Sequence, residues 1–334
     1  MKISFRIKKS PNVSVIIPFY NAQSWLETCL NSVVKSENIE VICVDDGSTD
    51  DSLKVVKKYS EEYDFIRIVR HDENKGLYKA RLTGIRNAKG KYIGFLDSDD
   101  YVSSGYFSEL YKVARKKHAD IAVGVVVNQN KENVQYIQTR CKIFPYGNME
   151  KNESVYDLYW KQEGRCYHWH TLWNKIYKKK LWTKSLRILE QQDSHLVMLE
   201  DFVFSSVLLA QAKRYAVKAD AYYCYVEHAT ASTKNQRDYQ LVVKNLLDID
   251  KAFSFVENFL QKGKKYKKNL PYLIEWKERY ARYWKKNIDN SVILDEEKEA
   301  CFSIIEKKWG CNLVDVREED EYYYELAEIL ETRI

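Results

Sequence analysis

The sequence predicts an α/β fold: a mostly parallel sheet flanked by helices, followed by a C-terminal helical extension. Three observations lead there. Short apolar, β-branched runs alternate with stretches of helical period over residues 12–127. Those runs are almost wholly apolar, as expected of strands covered by helices on both faces. After Arg237 strand-like runs cease and the pattern is helical nearly throughout.

In chain order, strands are expected at Val13–Phe19, Ile39–Val44, Phe65–Val69, Tyr92–Leu96 and Ile121–Val127. Helices are expected between them at Ala22–Lys35, Asp50–Tyr63, Leu77–Ala88 and Ser104–Lys117. The pattern then loosens. Val134–Phe144 reads as one or two strands, Glu153–Glu163 and Met198–Ala212 as helices, and Ala221–Val226 as a strand. Tyr167–Tyr177 is aromatic and basic. The tail reads as helices over Asp238–Gln261, Tyr272–Asp289, Glu296–Lys308 and Glu318–Thr332, broken at Lys262–Pro271. The expected organisation is a domain over 1–235, its first half 12–127 and second half 128–235, and a helical region over 236–334.

Composition narrows the classes. At 45% hydrophobic and 31% charged, the chain can build a core and is expected to be soluble and globular. Its 26 tyrosines suit either a polar-substrate cleft or ordinary semi-buried packing. The net charge of +6 is modest, and acidic clusters sit at apparent strand ends, which disfavours nucleic acid as the main partner. The seven cysteines include no CxxC pair and read as reduced thiols, so a cytoplasmic location is expected. No run reaches ~18 apolar residues, and no apolar signal core follows the basic start.

The strand ends carry the chemistry. In parallel sheets, ligands bind beyond the carboxyl ends of the strands. Here those ends read Pro18-Phe19-Tyr20-Asn21, then Asp45-Asp46-Gly47-Ser48-Thr49-Asp50, then Asp97-Ser98-Asp99-Asp100. Tyr20 can stack on a flat base, and a carboxylate can accept the imide N–H of uracil. Asp97 and Asp99 bracket a small residue, so both can reach one hard cation, which would neutralise a departing diphosphate. Each piece alone is also an ordinary turn or helix cap. Three such pieces in order at strand ends are harder to explain as three turns.

These motifs, with Asn74-Lys75-Gly76-Leu77 and Ala80-Arg81 between them, resemble glycosyltransferase family 2. The resemblance is dense over residues 12–125, thin to about residue 235 and absent beyond. It implies the GT-A fold, a Rossmann-like sheet flanked by helices. It also implies an inverting sugar transfer from a UDP-sugar, with Mn²⁺ or Mg²⁺, to a glycan or glycolipid acceptor of bacterial surface-glycan type. By the same resemblance Pro18 and Tyr20 contact the base, Asp46 binds uracil beside Asp45, and Lys75 and Arg81 border the nucleotide. Asp97 and Asp99 hold the metal, Asp97 also reaching towards ribose, with Ser98 between them. Leu199-Glu200-Asp201-Phe202 resembles the family's Glu-Asp pair at a helix start, which makes Asp201 the catalytic base. Trp173–Tyr177 resembles a segment near the acceptor, and His228 with Ser232 and Thr233 resembles a loop closing over the diphosphate.

Several readings stay open at this point. Glu200 and Asp201 also suit a helix N-terminus. Cys166, His168 and His170 alternate and can form a soft-metal site, an acceptor pocket or plain packing. In the tail, Leu273, Trp276, Tyr280, Trp284 and Ile288 recur at helical spacing amid Lys and Arg. That stripe suits an anionic membrane surface, a homodimer partner or the protein's own core. Membrane contact would place the protein at the inner face of the cytoplasmic membrane. A sugar-phosphate nucleotidyltransferase would open with a Gly-rich, Arg-containing loop, and a dehydrogenase with GxGxxG; neither is present. A non-catalytic nucleotide-sugar-binding scaffold is the alternative from another class.

Overall fold

A computed structural model of the chain describes residues 10–129, 137–139, 155–161, 170–192, 195–226 and 238–313. The chain divides into two compact units, one of Met1–Val127 with Gln138–Val226, the other of Asn128–Ile137 with Glu227–Ile334.

The first unit opens as strand–helix alternation. Its elements are β1 (Val13–Phe19), α1 (Leu26–Val33), β2 (Ile39–Asp45), α2 (Ser52–Glu62), β3 (Ile66–Arg70), α3 (Leu77–Asn87) and β4 (Tyr92–Phe95). The short β5 (Tyr101–Val102), α4 (Tyr106–Lys116) and β6 (Ile121–Gln129) follow. After β7 (Ile137–Thr139) and α5 (Val155–Lys161) come β8 (Lys175–Lys178), α6 (Lys179–Leu189), α7 (Glu200–Leu208) and β9 (Tyr215–Val226).

Strands β3-β2-β1-β4 form the expected parallel block. Every residue of β1, β2 and β4 is buried, which is why those runs carry no polar alternation. Phe19 pairs with Asp45 and Asp45 with Arg70, so the carboxyl ends of β1, β2 and β3 line up along one edge. Beyond β4 the sheet continues β8-β6-β9-β5, and here the β4–β8, β8–β6 and β9–β5 pairs are antiparallel. Strand β8 reverses direction beside β4, with Tyr92 opposite Lys178. The expected strand at Ile121–Val127 therefore joins the sheet antiparallel to β8.

Helix α3 lies very close to β1. A Cβ built on Gly84 would stand 2.3 Å from the Ile16 Cγ2 methyl, so only glycine permits this approach. Close packing here fixes the height of Arg81, one turn earlier on α3, above the sheet.

The second unit is helical: α8 (Tyr239–Gln261), the single-turn α9 (Lys264–Lys267), α10 (Leu270–Asp289) and α11 (Asp295–Ile304). Asp238 caps α8, its Oδ1 accepting the N–H of Gln240 at 2.9 Å and of Leu241 at 3.3 Å. Pro271 lies in the first turn of α10, where no helical partner for its nitrogen is needed. Leu273, Trp276, Trp284 and Ile288 are buried on α10. Tyr280 packs edge-on against Phe253, which also meets Trp309. The aromatic stripe is thus the core of this unit and is not available to a bilayer. Among the described residues no helix is long and apolar enough to cross a membrane.

Candidate functional site

The tips of β1 and β2 are tied together by side chains. Asn21 adopts a left-handed backbone (φ 48°), and its carboxamide oxygen accepts the Thr49 N–H at 2.9 Å. The Asn21 N–H donates to Ser48 Oγ at 3.1 Å, and the Ala22 N–H to Ser52 Oγ at 2.7 Å. Pro18 is buried within β1, whereas Tyr20 just beyond it is 46% exposed and offers its ring outward.

Asp45 and Asp46 are both buried and hold different loops. Asp45 accepts the Ser48 N–H at 2.8 Å, and its other oxygen lies 3.1 Å from Arg70 Nε. Asp46 accepts the backbone N–H of Lys75 at 2.9 Å and of Gly76 at 2.8 Å. Its Oδ1 also lies 2.6 Å from His71 Nδ1, and His71 Nε2 is 2.9 Å from Thr83 Oγ1. Asp46 therefore anchors the Asn74–Gly76 loop, while Lys75 itself is exposed. His71 is a site residue that the sequence motifs do not single out. The strand-end rule that marks the tips of β1, β2 and β4 applies equally to β3, which ends Arg70-His71.

The resemblance implies Arg81 on the nucleotide's border; the structure instead sinks its guanidinium, 1% exposed, among three carboxylates. Arg81 Nη2 donates to Asp97 Oδ1 at 2.9 Å and Nη1 to Glu200 Oε1 at 2.8 Å. Nη1 also donates to Asp201 Oδ1. One side chain on α3 thus joins the tip of β4 to the start of α7.

Within the Asp97–Asp100 turn the carboxylates divide. Asp97, Ser98 and Asp99 are half-buried. Asp100 turns inward and accepts the Tyr223 hydroxyl at 2.7 Å and the Val226 N–H at 2.8 Å. Burial, reinforced by Asp99 and Asp97, pushes the Asp100 carboxyl well above the ordinary range. The Asp97 N–H donates back to the Tyr223 oxygen at 3.2 Å, and Tyr223 stacks on Trp173 with centroids 4.7 Å apart. Asp100 and Tyr223 therefore mount the turn, and Asp97 and Asp99 stand on its half-buried side.

Glu200 and Asp201 open α7 immediately after Leu199, which holds a left-handed backbone (φ 58°). A left-handed leucine costs about 1–2 kcal/mol, so the surrounding contacts impose this turn. Asp201 Oδ2 accepts the Leu172 N–H at 3.2 Å. Burial pushes the Glu200 carboxyl up to about 8, with the Asp201 charge adding and Arg81 opposing. Burial raises Asp201 as well, against the pull of Arg81. Just upstream, Lys175 Nζ is buried and donates to Asn174 Oδ1 at 2.6 Å and to the Thr171 carbonyl at 2.9 Å. Those bonds rigidify the segment from which Leu172 reaches Asp201.

His170 is a core residue. It stacks on Phe202 at 5.6 Å, and burial lowers its imidazole to about 3. Cys166, His168, His228, Ser232 and Thr233 lie outside the described residues. Among the described residues no group of three or more His, Cys, Asp or Glu side chains converges to hold a metal unaided. Asp97 and Asp99 are hard oxygen donors suited to Mn²⁺ or Mg²⁺, and such a pair would share the ion with diphosphate oxygens and water.

The sequence pattern described as Glycosyl transferase family 2 matches residues 14–182, half of the chain. The chain belongs to glycosyltransferase family 2. It is 37% identical over 173 residues to Glycosyltransferase GlyA of Streptococcus pneumoniae serotype 4, covering 51% of this chain and 25% of that protein. It is 28% identical over 255 residues to the Poly(ribitol-phosphate) beta-glucosyltransferase of Bacillus spizizenii, covering 73% of this chain and 38% of that one. The chain thus spans less than half the length of either relative. The crystal structure of S. aureus TarS 1-349 in complex with UDP-GlcNAc superposes with a TM-score of 0.51 at 20% identity, covering 90% of this chain and 88% of that one. That likeness establishes a shared fold, the GT-A architecture with helices following it.

Proposed function

We propose that this family 2 protein transfers a sugar from a UDP-sugar to a hydroxyl of a glycan or glycolipid acceptor, inverting the anomeric carbon in one displacement. The observation that carries the reading is the Arg81 bridge between Asp97 and the Glu200–Asp201 pair. A fixed carboxylate beside a half-buried pair of hard oxygen donors is what such a reaction needs. The TarS complex with UDP-GlcNAc supports a UDP-sugar as donor class. The poly(ribitol-phosphate) relative supports a cell-surface polymer as acceptor class.

In this reading Tyr20 stacks on the base, and the loop clamped by Asp46 borders the nucleotide. Asp97 and Asp99 would hold the Mn²⁺ or Mg²⁺, which supplies positive charge for the leaving diphosphate. Asp201 accepts the proton of the acceptor hydroxyl as its oxygen attacks the anomeric carbon. The bond from that carbon to the diphosphate breaks, its electron pair leaving with UDP. Arg81 keeps Asp201 ionised and aimed, while burial makes it a stronger base than an exposed aspartate.

The test is UDP release from a panel of UDP-sugars with Mn²⁺. Asp201→Asn is expected to lose about 100-fold or more in kcat. Asp99→Asn or a chelator is expected to abolish turnover, restored by excess Mn²⁺ only for the chelated wild type. Wild-type turnover in Asp201→Asn would refute its role as base. Metal-independent turnover would remove the role given to Asp99.

A further inference from the structure

At the amino ends of the parallel strands, away from the tips bearing Asp45, Asp46 and Asp97, the first unit carries a groove of about 740 Å³. Strand β1 alone, at 7 residues, separates that end from the tips by roughly 20 Å. Asn12 precedes β1 and Lys91 precedes β4, while Lys178 ends β8; all line the groove. Tyr111, Arg115 and His118 complete it from α4 and the residues just after it. The antiparallel register that sets Tyr92 opposite Lys178 brings the two lysine-bearing strand ends together.

The groove has an excess of positive charge. Arg115 is exposed and has no ion-pair partner among the described residues. Lys91 Nζ lies 3.3 Å from Asn12 Oδ1 and 3.4 Å from the Tyr111 hydroxyl, both neutral partners. The carboxylate at hand is Asp120, 3.8 Å from Lys178 Nζ, and its other oxygen already accepts the N–H of Lys213 and Arg214 at 3.0 and 3.2 Å. Complementing the α4 dipole accounts for a cation in its last turn, such as Arg115. It does not account for Lys91 and Lys178, which arrive from two strands. Like charges on concave walls focus the potential that attracts anions.

We propose that this groove binds the phosphate groups of an anionic carbohydrate chain, holding the polymer at a point remote from sugar transfer. Its volume falls in the ~300–1,000 Å³ range of ligand pockets, well above what one phosphate fills. Asn12 and Tyr111 add neutral hydrogen-bonding groups for a hydroxyl-rich body. Among the described residues, the exposed large hydrophobic ones (Tyr20, Ile274, Tyr283, Val292 and Leu294) do not line it. A bilayer-docking face would present such residues, so a soluble chain fits better than a lipid surface. The carbohydrate class rests on the acceptor reading above; the anion site does not.

The test is equilibrium binding to the full chain of three probes: inorganic phosphate, a short synthetic glycerol-phosphate oligomer, and phosphatidylglycerol-containing vesicles. The double variant Lys91→Gln/Arg115→Gln is compared with Lys54→Gln/Lys58→Gln, two exposed lysines on α2. The oligomer is expected to bind wild type and the α2 control alike, and the groove variant about tenfold or more weakly. UDP binding is expected to be equal in all three. Equal oligomer affinity in the groove variant, or equal loss in the α2 control, overturns the site. Binding of vesicles without the oligomer overturns the carbohydrate assignment, as does phosphate binding with no gain from the oligomer. A wild type that binds the oligomer but not UDP would refute the donor reading and leave the groove standing.

Discussion

Arg81 reaches three carboxylates through its two terminal nitrogens, with 1% of its own side chain exposed. Removing the cation with Arg81→Met would leave Glu200 and Asp201 buried without it. A loss of about 3–5 kcal/mol is expected in urea unfolding, with transfer abolished. Arg81→Lys keeps the charge but not the fork, and is expected to recover part of the stability and little of the activity. The same cluster sets two pH dependences. In its proposed role as base Asp201 must be ionised, and burial raises its carboxyl. The rate is therefore expected to fall on the acid side at a pH above that of an ordinary aspartate. Glu200, raised to about 8, holds its proton more tightly when folded than when unfolded. Its contribution to stability is complete at pH below the ordinary glutamate value and is lost as pH rises through about 8. Between those limits Tm of the wild type is expected to decline relative to Glu200→Gln, measured side by side. A parallel decline in both proteins would contradict this.

At the level of elements, Gly84 decides how near α3 sits to β1. Gly84→Ala would press a methyl into Ile16, and about 1–3 kcal/mol of destabilisation is expected from the resulting shift. Activity should suffer beyond that, because the displaced helix carries Arg81; a lowered Tm with unchanged kcat would separate the two. The first half of this unit was legible from sequence because its strands are apolar runs and its helices bury residues at helical spacing. The second half was legible only in part, with the helices near 155–161 and 200–208 and the end of β9 read, for identifiable reasons. Helix α6 buries Leu181, Trp182, Ser185 and Leu189 at helical spacing, but that stripe is masked by the basic run Lys178–Lys180 at its start. Strand β9 starts at Tyr215, and its exposed middle, with Lys218 paired to Asp220, hides the continuity with Ala221–Val226. In the site, the strand tips could be read because motifs mark them. The burial of Arg81 could not, since nothing around Ala80-Arg81 announces carboxylates more than a hundred positions away.

Among the described residues, polar chemistry concentrates on the first unit, while α10 of the helical unit turns Trp276 and Trp284 inward. Trp309 donates its indole N–H to the Leu246 carbonyl at 3.3 Å and packs on Phe253, closing that core from its far end. Substitutions along the α10 stripe are therefore expected to lower Tm and to leave vesicle flotation unchanged. The span of the Arg81 bridge, 119 positions to Glu200 and 120 to Asp201, has a further consequence for synthesis. A ribosome that has released the parallel block has not yet made Glu200 and Asp201, two of the three acidic side chains that its buried guanidinium bonds. A chain stopped at residue 190 should accordingly be prone to proteolysis and aggregation, even with the parallel block, β8 and β6 already made. Adding the segment through Val226 should restore resistance in one step. The residue that joins these carboxylates would then also be the one that makes the early fold wait for its later half.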